Sequence, residues 1–314
     1  ERSGRHLPAT DAGGVDLMMD RQLVVLNPRA GRCQAARRIA ELLPVLETDG
    51  VTAELLETSA AGDARQTVAK RAGEFARVVC IGGDGTLNEV ISGMLDAGTD
   101  VPIGYVPAGS TNDLAASHGL SRDILQAARD VVQGVAAPID VGLFNGRCFV
   151  YTASFGVFTR ASYAAPQAVK NAVGHLAYIF EGMKDLTHIA PYTVTVEAEG
   201  VRFSGDCIFG MAGNSTSMGG VLKLDPEQVD LHDGKFEVIL VRKPKHIGQL
   251  ISAAVALQSQ RYDHELLCFF KADSLRIAAP ANMDWTLDGE FQPGAAEIEI
   301  KNLHNAVRLI LPRV

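Results

Sequence analysis

The chain predicts an α/β plus β fold: an N-terminal three-layer α/β half on a parallel sheet, followed by a C-terminal antiparallel β-sandwich. Three observations predict it. Apolar, β-branched runs alternate with amphipathic helical segments through the first 138 residues. After Pro138 most periodic segments are strand-like instead. Glycine-rich turns follow the first, third and fourth expected strands, where an open parallel sheet places its ligands.

In order, the pattern predicts a strand over 23–26, a helix over 34–46, a strand over 51–57, and a helix over 63–72 preceded by Gly62. A strand over 78–81, a helix over 87–95, a strand over 103–106 and a helix over 124–133 complete the α/β half. Beyond Pro138, strands are expected over 140–153, 192–199, 201–210, 235–242, 266–270, 274–278, 297–301 and 307–311. Helices near 167–186 and 247–259 interrupt them. The expected organisation is a disordered leader over 1–20, an α/β domain over 21–138, and a β-rich domain over 139–314 whose last strand can return to the first domain. The leader lacks the apolar core of a secretion signal, which makes Met18 or Met19 a plausible start.

At 314 residues and 47% hydrophobic, the chain can bury enough surface for two domains of ordinary size. A formal charge of -8 argues against a dedicated nucleic-acid binder, because phosphate backbones demand a basic face. The longest apolar run, 250–257, is about half the roughly 18–20 residues a membrane span needs. Five widely spaced cysteines without a Cys-x-x-Cys pair predict free thiols and a cytoplasmic location. The eight histidines form no His-Glu-x-x-His face.

Ile81-Gly82-Gly83-Asp84-Gly85-Thr86-Leu87-Asn88-Glu89 carries the most chemistry, because an apolar strand breaks into glycines just before a helix. Without a Cβ, the backbone can approach phosphate oxygens and aim N–H groups at them. Asn27-Pro28-Arg29-Ala30-Gly31 and Pro107-Ala108-Gly109-Ser110-Thr111-Asn112-Asp113 are companion turns rich in neutral donors, and Arg29 and Arg32 can add positive charge. Neither a Gly-x-x-x-x-Gly-Lys-Ser/Thr loop nor a Gly-x-Gly-x-x-Gly fingerprint is present. An acid inside such a turn repels phosphate unless a cation lies between them, so Asp84 points to a Mg²⁺-nucleotide; a helix cap is the plainer reading.

These turns, with Thr58 before Gly62-Asp63-Ala64, Ile139-Asp140-Val141-Gly142, Phe155-Gly156, Gly213-Asn214, Asp233-Gly234 and Leu287-Asp288-Gly289-Glu290, occur in an order that resembles the diacylglycerol kinase catalytic-domain family. Those are soluble bacterial lipid kinases related to sphingosine kinases. The likeness spans 23–312. It implies ATP between the domains, contacted by Asn27, Pro28, Arg29, Ala30, Gly31, Thr58, Gly82, Gly83, Asp84, Gly85, Thr86, Leu87, Asn88 and Ser110. Ser110 stands where threonine is usual, and Ala116 where arginine is frequent.

The resemblance also implies Glu290 as the base that deprotonates a lipid hydroxyl, although Asp288-Gly289 is equally a hairpin signal. Asp288 would orient Mg²⁺ or Glu290. A structural Mg²⁺ loop is implied at Asp230, Asp233 and Lys235, through one carboxylate and main-chain carbonyls, with a plain acidic turn as the alternative. The expected substrate is a lipid such as diacylglycerol met at a membrane surface by peripheral contact, with a homodimer left open. NAD kinases share the glycine-aspartate turn, and a nucleotide-gated lipid-binding regulator without turnover is the non-enzymatic rival. Trp285 is expected to pack the sandwich edge, and 163–186 to form an amphipathic covering helix rather than a lipid entrance.

Overall fold

The computed structural model describes residues 21–157, 190–218, 222–224 and 229–313. The expected leader over 1–20 and the covering helix over 163–186 lie outside the described residues.

The α/β half runs β1 (Arg21–Leu26), α1 (Gln34–Arg37), α2 (Ile39–Leu46), β2 (Thr52–Glu57), α3 (Asp63–Arg71), β3 (Arg77–Gly82), α4 (Asp84–Ala97), β4 (Ile103–Pro107), α5 (Asp113–Ser117) and α6 (Ile124–Gln133). Its strands pair in parallel in the order β2-β1-β3-β4. β1, β3 and β4 are covered on both faces, which is why they read as nearly unbroken apolar runs. α6 matches its expected bounds because Asp123 caps it, accepting from the Leu125 and Gln126 N–H groups. The helix expected over 34–46 is instead split at Arg38, where φ is -110°. The apolar period survives the break because Ala35, Leu42 and Leu46 remain fully buried in one cluster. α4 begins three residues before its first apolar position, so the glycine turn itself is its first turn.

The remainder comprises β5 (Val135–Phe144), β6 (Arg147–Phe149), β7 (Thr152–Gly156), β8 (Tyr192–Ala198), β9 (Val201–Gly213), β10 (Ser217–Met218), β11 (Leu222–Lys223), β12 (Phe236–Arg242), α7 (Ile247–Gln258), β13 (Leu267–Ala272), β14 (Ser274–Ala278), β15 (Trp285–Leu287), β16 (Glu290–Gln292) and β17 (Glu297–Leu311). The sheet order is β16-β15-β7-β9-β8-β14-β17, with β12 joining β9 to β13, and these pairs are antiparallel. The single strand expected over 140–153 is cut by Asn145-Gly146, whose φ angles of 47° and 82° form a tight hairpin turn. The two strands expected over 297–301 and 307–311 are one 15-residue strand carrying a bulge between Leu303 and Val307. β17 pairs with β14 near its start and with β4 at Leu309, while β5 runs beside it from Phe144 to Val135. Pro138 therefore lies inside a strand, and β5 and β17 pass through both halves of the molecule.

Two apolar clusters cover the faces of the parallel sheet, and a third fills the sandwich. Trp285 is 2% exposed in the third, its ring 5.0 Å from Phe144 and 4.9 Å from Phe155. The five cysteines are free thiols. Among the described residues, no helix is long and apolar enough to cross a membrane.

Candidate active site

The turns after β1, β3 and β4 meet at the carboxyl edge of the parallel sheet. The Asn27 N–H donates to the Ile81 carbonyl at 2.9 Å, and the Ala108 N–H to Gly82 at 2.7 Å. Asn27 Nδ2 donates to Thr86 Oγ1 at 3.0 Å, which ties the first turn to α4. Two glycines make this convergence possible. A Cβ on Gly31, at φ +52°, would lie 2.0 Å from the Ala108 oxygen, and one on Gly109 would lie 2.6 Å from the Gly83 Cα.

Asp84 opens α4, and the amides of Asn112 and Asp113 donate to its carboxylate. Its Oδ1 is buried and has no hydrogen-bond partner. Burial first, then the neighbouring charges of Asp113 and Asp288, push its pKa up to about 6. A buried oxygen with an unused lone pair amid three acids needs a proton or a cation. That unpartnered oxygen fits a divalent ion arriving with a nucleotide.

Asp288 is half-buried on the β15–β16 turn at φ 51°. Its carboxylate accepts from the N–H groups of Val150, Tyr151 and Thr152 at 2.6, 2.9 and 3.0 Å, and from Asn88 Nδ2 at 2.9 Å. Burial raises its pKa while these donors act against that rise. One side chain thus fastens the hairpin to the start of β7 and to α4. Two residues on, Glu290 projects across the helix N-terminus, and a Cβ on Gly85 would lie 3.3 Å from its Oε1. Glu290 is therefore both a hairpin residue and a cleft residue, because Asp288-Gly289 is the turn that aims it.

The cleft measures about 480 Å³ and is lined by Asn27, Arg29, Thr58, Gly85, Thr86, Asn88 and Glu290 among the expected residues. Gly82, Gly83, Asp84 and Gly31 stand behind that wall, where they shape the turns. Ser110 is exposed on the β4–α5 turn, and Pro28 and Ala30 complete the β1 turn without entering the lining. Leu87 keeps its side chain 1% exposed in the core, and its N–H donates to the Gly83 carbonyl within the helix. The lining also includes Glu89, the last residue of the glycine-turn stretch, and Arg65, Ser92, Arg147 and Cys148, which no sequence signal singled out.

The family profile described as "Diacylglycerol kinase catalytic domain" matches residues 21–144, and "YegS C-terminal NAD kinase beta sandwich-like domain" matches 152–311. A diacylglycerol kinase of Bacillus subtilis strain 168 is 33% identical over 297 residues, covering 94% of this chain and 97% of that one. The chain belongs to the diacylglycerol kinase family. It is thereby an enzyme of the lipid kinase class. A diacylglycerol kinase of Staphylococcus carnosus is 31% identical over 300 residues, covering 94% and 96%. A diacylglycerol kinase structure from Bacillus anthracis strain Sterne shares the fold, with a TM-score of 0.70 at 20% identity over 93% of this chain and 97% of that one.

In the 230–235 loop, where magnesium is expected, the carboxylates have protein partners. Asp233 Oδ1 accepts the Lys235 N–H at 2.9 Å and Oδ2 accepts Lys271 Nζ at 3.1 Å, while Asp230 Oδ1 accepts the His232 N–H at 3.0 Å. Lys271 Nζ also lies 3.2 Å from Oε1 of Glu237, an ion pair outside hydrogen-bond geometry, and Glu237 is 0% exposed. An ammonium thus lies against the one carboxylate expected to hold a metal ion there.

Proposed function

We propose that this enzyme transfers the γ-phosphoryl group of Mg-ATP to the hydroxyl of a lipid such as diacylglycerol, with Glu290 as general base. The observation that carries the reading is the placement of Glu290 beside Gly85, at the rim of a cleft walled by Asn27, Thr58 and Thr86. A proton acceptor there faces the N-terminus of a 14-residue helix, where anionic phosphate is favoured.

Asn27, Thr58, Thr86 and Asn88 offer neutral donors to phosphate oxygens, and Arg29 adds charge on the outer wall. Bound with the nucleotide, magnesium would neutralise phosphate charge and polarise the γ-phosphoryl group, and Asp84, through its unpartnered Oδ1, is the carboxylate that would hold it. Glu290 accepts the hydroxyl proton as the lipid oxygen bonds to the γ-phosphorus, and the bond from phosphorus to the bridging oxygen breaks, releasing ADP. Asp288 keeps the hairpin seated on α4 so that Glu290 stays within reach.

The NAD-kinase-like description of the sandwich supports one rival acceptor, NAD itself. Purified protein is incubated with γ-labelled ATP and, separately, NAD or mixed micelles of diacylglycerol, monoacylglycerol, ceramide, a sphingoid base or phosphatidylglycerol. Label entering a lipid, diacylglycerol foremost, is expected; label in NAD alone contradicts the proposal.

A further inference from the structure

We propose that Arg147 grips the transferring phosphoryl group, and that in the nucleotide-free enzyme Glu290 holds it in reserve. The inference rests on the kinase reading above. Arg147 begins β6 directly after the Asn145-Gly146 turn, in the wall of the cleft. Its Nη2 lies 3.3 Å from Glu290 Oε2, and its Nη1 donates to Gln292 Oε1 at 2.8 Å and to the Phe291 carbonyl at 3.3 Å.

Arg29, Arg65 and Arg147 are the cations that line the cleft. Arg65 is committed to Asp96, with bonds of 2.6 and 3.0 Å to both carboxylate oxygens. Arg29 stands on the Asn27 turn, its N–H donating to Asn27 Oδ1. Arg147 alone of these reaches the carboxylate proposed as base. A phosphoryl group about to be transferred must come within reach of Glu290, and the guanidinium stands 3.3 Å from that carboxylate.

The pair is built to exchange partners. Its side chains are 44% and 64% exposed, a setting in which ion pairs hold weakly. A phosphoryl group carries more charge than a carboxylate and matches the planar guanidinium fork with two parallel hydrogen bonds. While Arg147 is bonded to it, Glu290 Oε2 is an occupied acceptor. When a nucleotide takes the guanidinium, that oxygen is released to receive the hydroxyl proton. Negative charge developing on the transferring oxygens then meets a fixed cation, the role an arginine finger plays in other phosphoryl transfers. Base and phosphoryl donor become ready together.

The test titrates ATP and ADP, each with magnesium, by calorimetry into wild type, Arg147→Met, Arg147→Lys, Glu290→Gln and the Arg147→Met/Glu290→Gln double variant. Lipid phosphorylation is measured in parallel. Arg147→Met should weaken ATP about 10-fold, leave ADP within about twofold, and lower kcat on the order of 10²- to 10³-fold. Arg147→Lys, with the charge but without the fork, should recover only part of kcat. Glu290→Gln should bind ATP a few-fold more tightly than wild type because the guanidinium is set free, and the double variant should lose that gain. An Arg147→Met protein with an unchanged ATP-to-ADP ratio and unchanged kcat overturns the proposal, as does a Glu290→Gln gain that persists in the double variant. A wild type that binds ATP but labels no lipid overturns the kinase reading, and the ATP-to-ADP ratio in the same titrations still decides for or against Arg147.

Discussion

Asp84 is a carboxylate that its own surroundings oppose. Its usual pKa of 3.8 rises to about 6 in the folded chain, chiefly by burial. Between those values the native state keeps a proton that the unfolded chain has released, so unfolding becomes easier as pH rises through the window. Above about pH 6 the full penalty applies. Asp84→Asn should therefore stabilise the nucleotide-free protein at pH 7, on the order of 1–3 kcal/mol, and the gain should vanish near pH 4. Urea unfolding at the two pH values measures it. Function should run the other way, since a proton competes with the cation: wild-type affinity for Mg-ATP should rise from pH 5 to pH 7, and Asp84→Asn should lose both that rise and its dependence on magnesium concentration. The acid was conspicuous in the sequence because it broke a glycine run. Its partners were not, because Asp113 and Asp288 reach it only through the fold.

At the scale of elements, the turns can be tested by adding one methyl group. Gly109→Ala must displace the Gly83 Cα 2.6 Å away and the Asn112 side chain 2.7 Å away. It should cost about 1–3 kcal/mol and weaken nucleotide binding at least several-fold. Gly73→Ala, with nothing within 4 Å, should leave both unchanged, which separates crowding from general loss of backbone freedom. The 230–235 loop gives a second element-level outcome. With Lys271 as its cation, chelation should leave the melting temperature of an Asp84→Asn background unaltered. Lys271→Met, which strands the fully buried Glu237, should lower stability by about 3 kcal/mol or more. Thermal melts with and without EDTA read both. Parallel strands and their helices were legible because burial on two faces imprints continuous apolar runs. The ammonium in the acidic loop was not, because Lys271 is brought there by strand pairing of β12 with β13, where it lies opposite Glu237.

For the whole molecule, the decisive connections join residues far apart in the chain. β5 and β17 run through both halves, and Asp288 bonds to Asn88 200 positions away. Breaking that junction should separate geometry from chemistry: Asp288→Ala leaves three main-chain N–H groups and Asn88 without their acceptor, and should cost roughly 2–5 kcal/mol while lowering kcat. Motif order along the sequence led to the expectation of a nucleotide site between two halves. Which residues face that cleft was not, since Glu290 reads equally as a surface hairpin until its register with β15 and its approach to Gly85 are known. Arg147 carried no signal at all, being an arginine after a hairpin turn. The central claim, that Glu290 takes the lipid hydroxyl proton in a cleft that binds Mg-ATP, meets its most direct test in steady-state phosphorylation of diacylglycerol micelles by wild type and Glu290→Gln, with ATP affinity measured on the same preparations. A fall in kcat of about 10²-fold or more with ATP binding retained is the predicted result; unchanged kcat would contradict it.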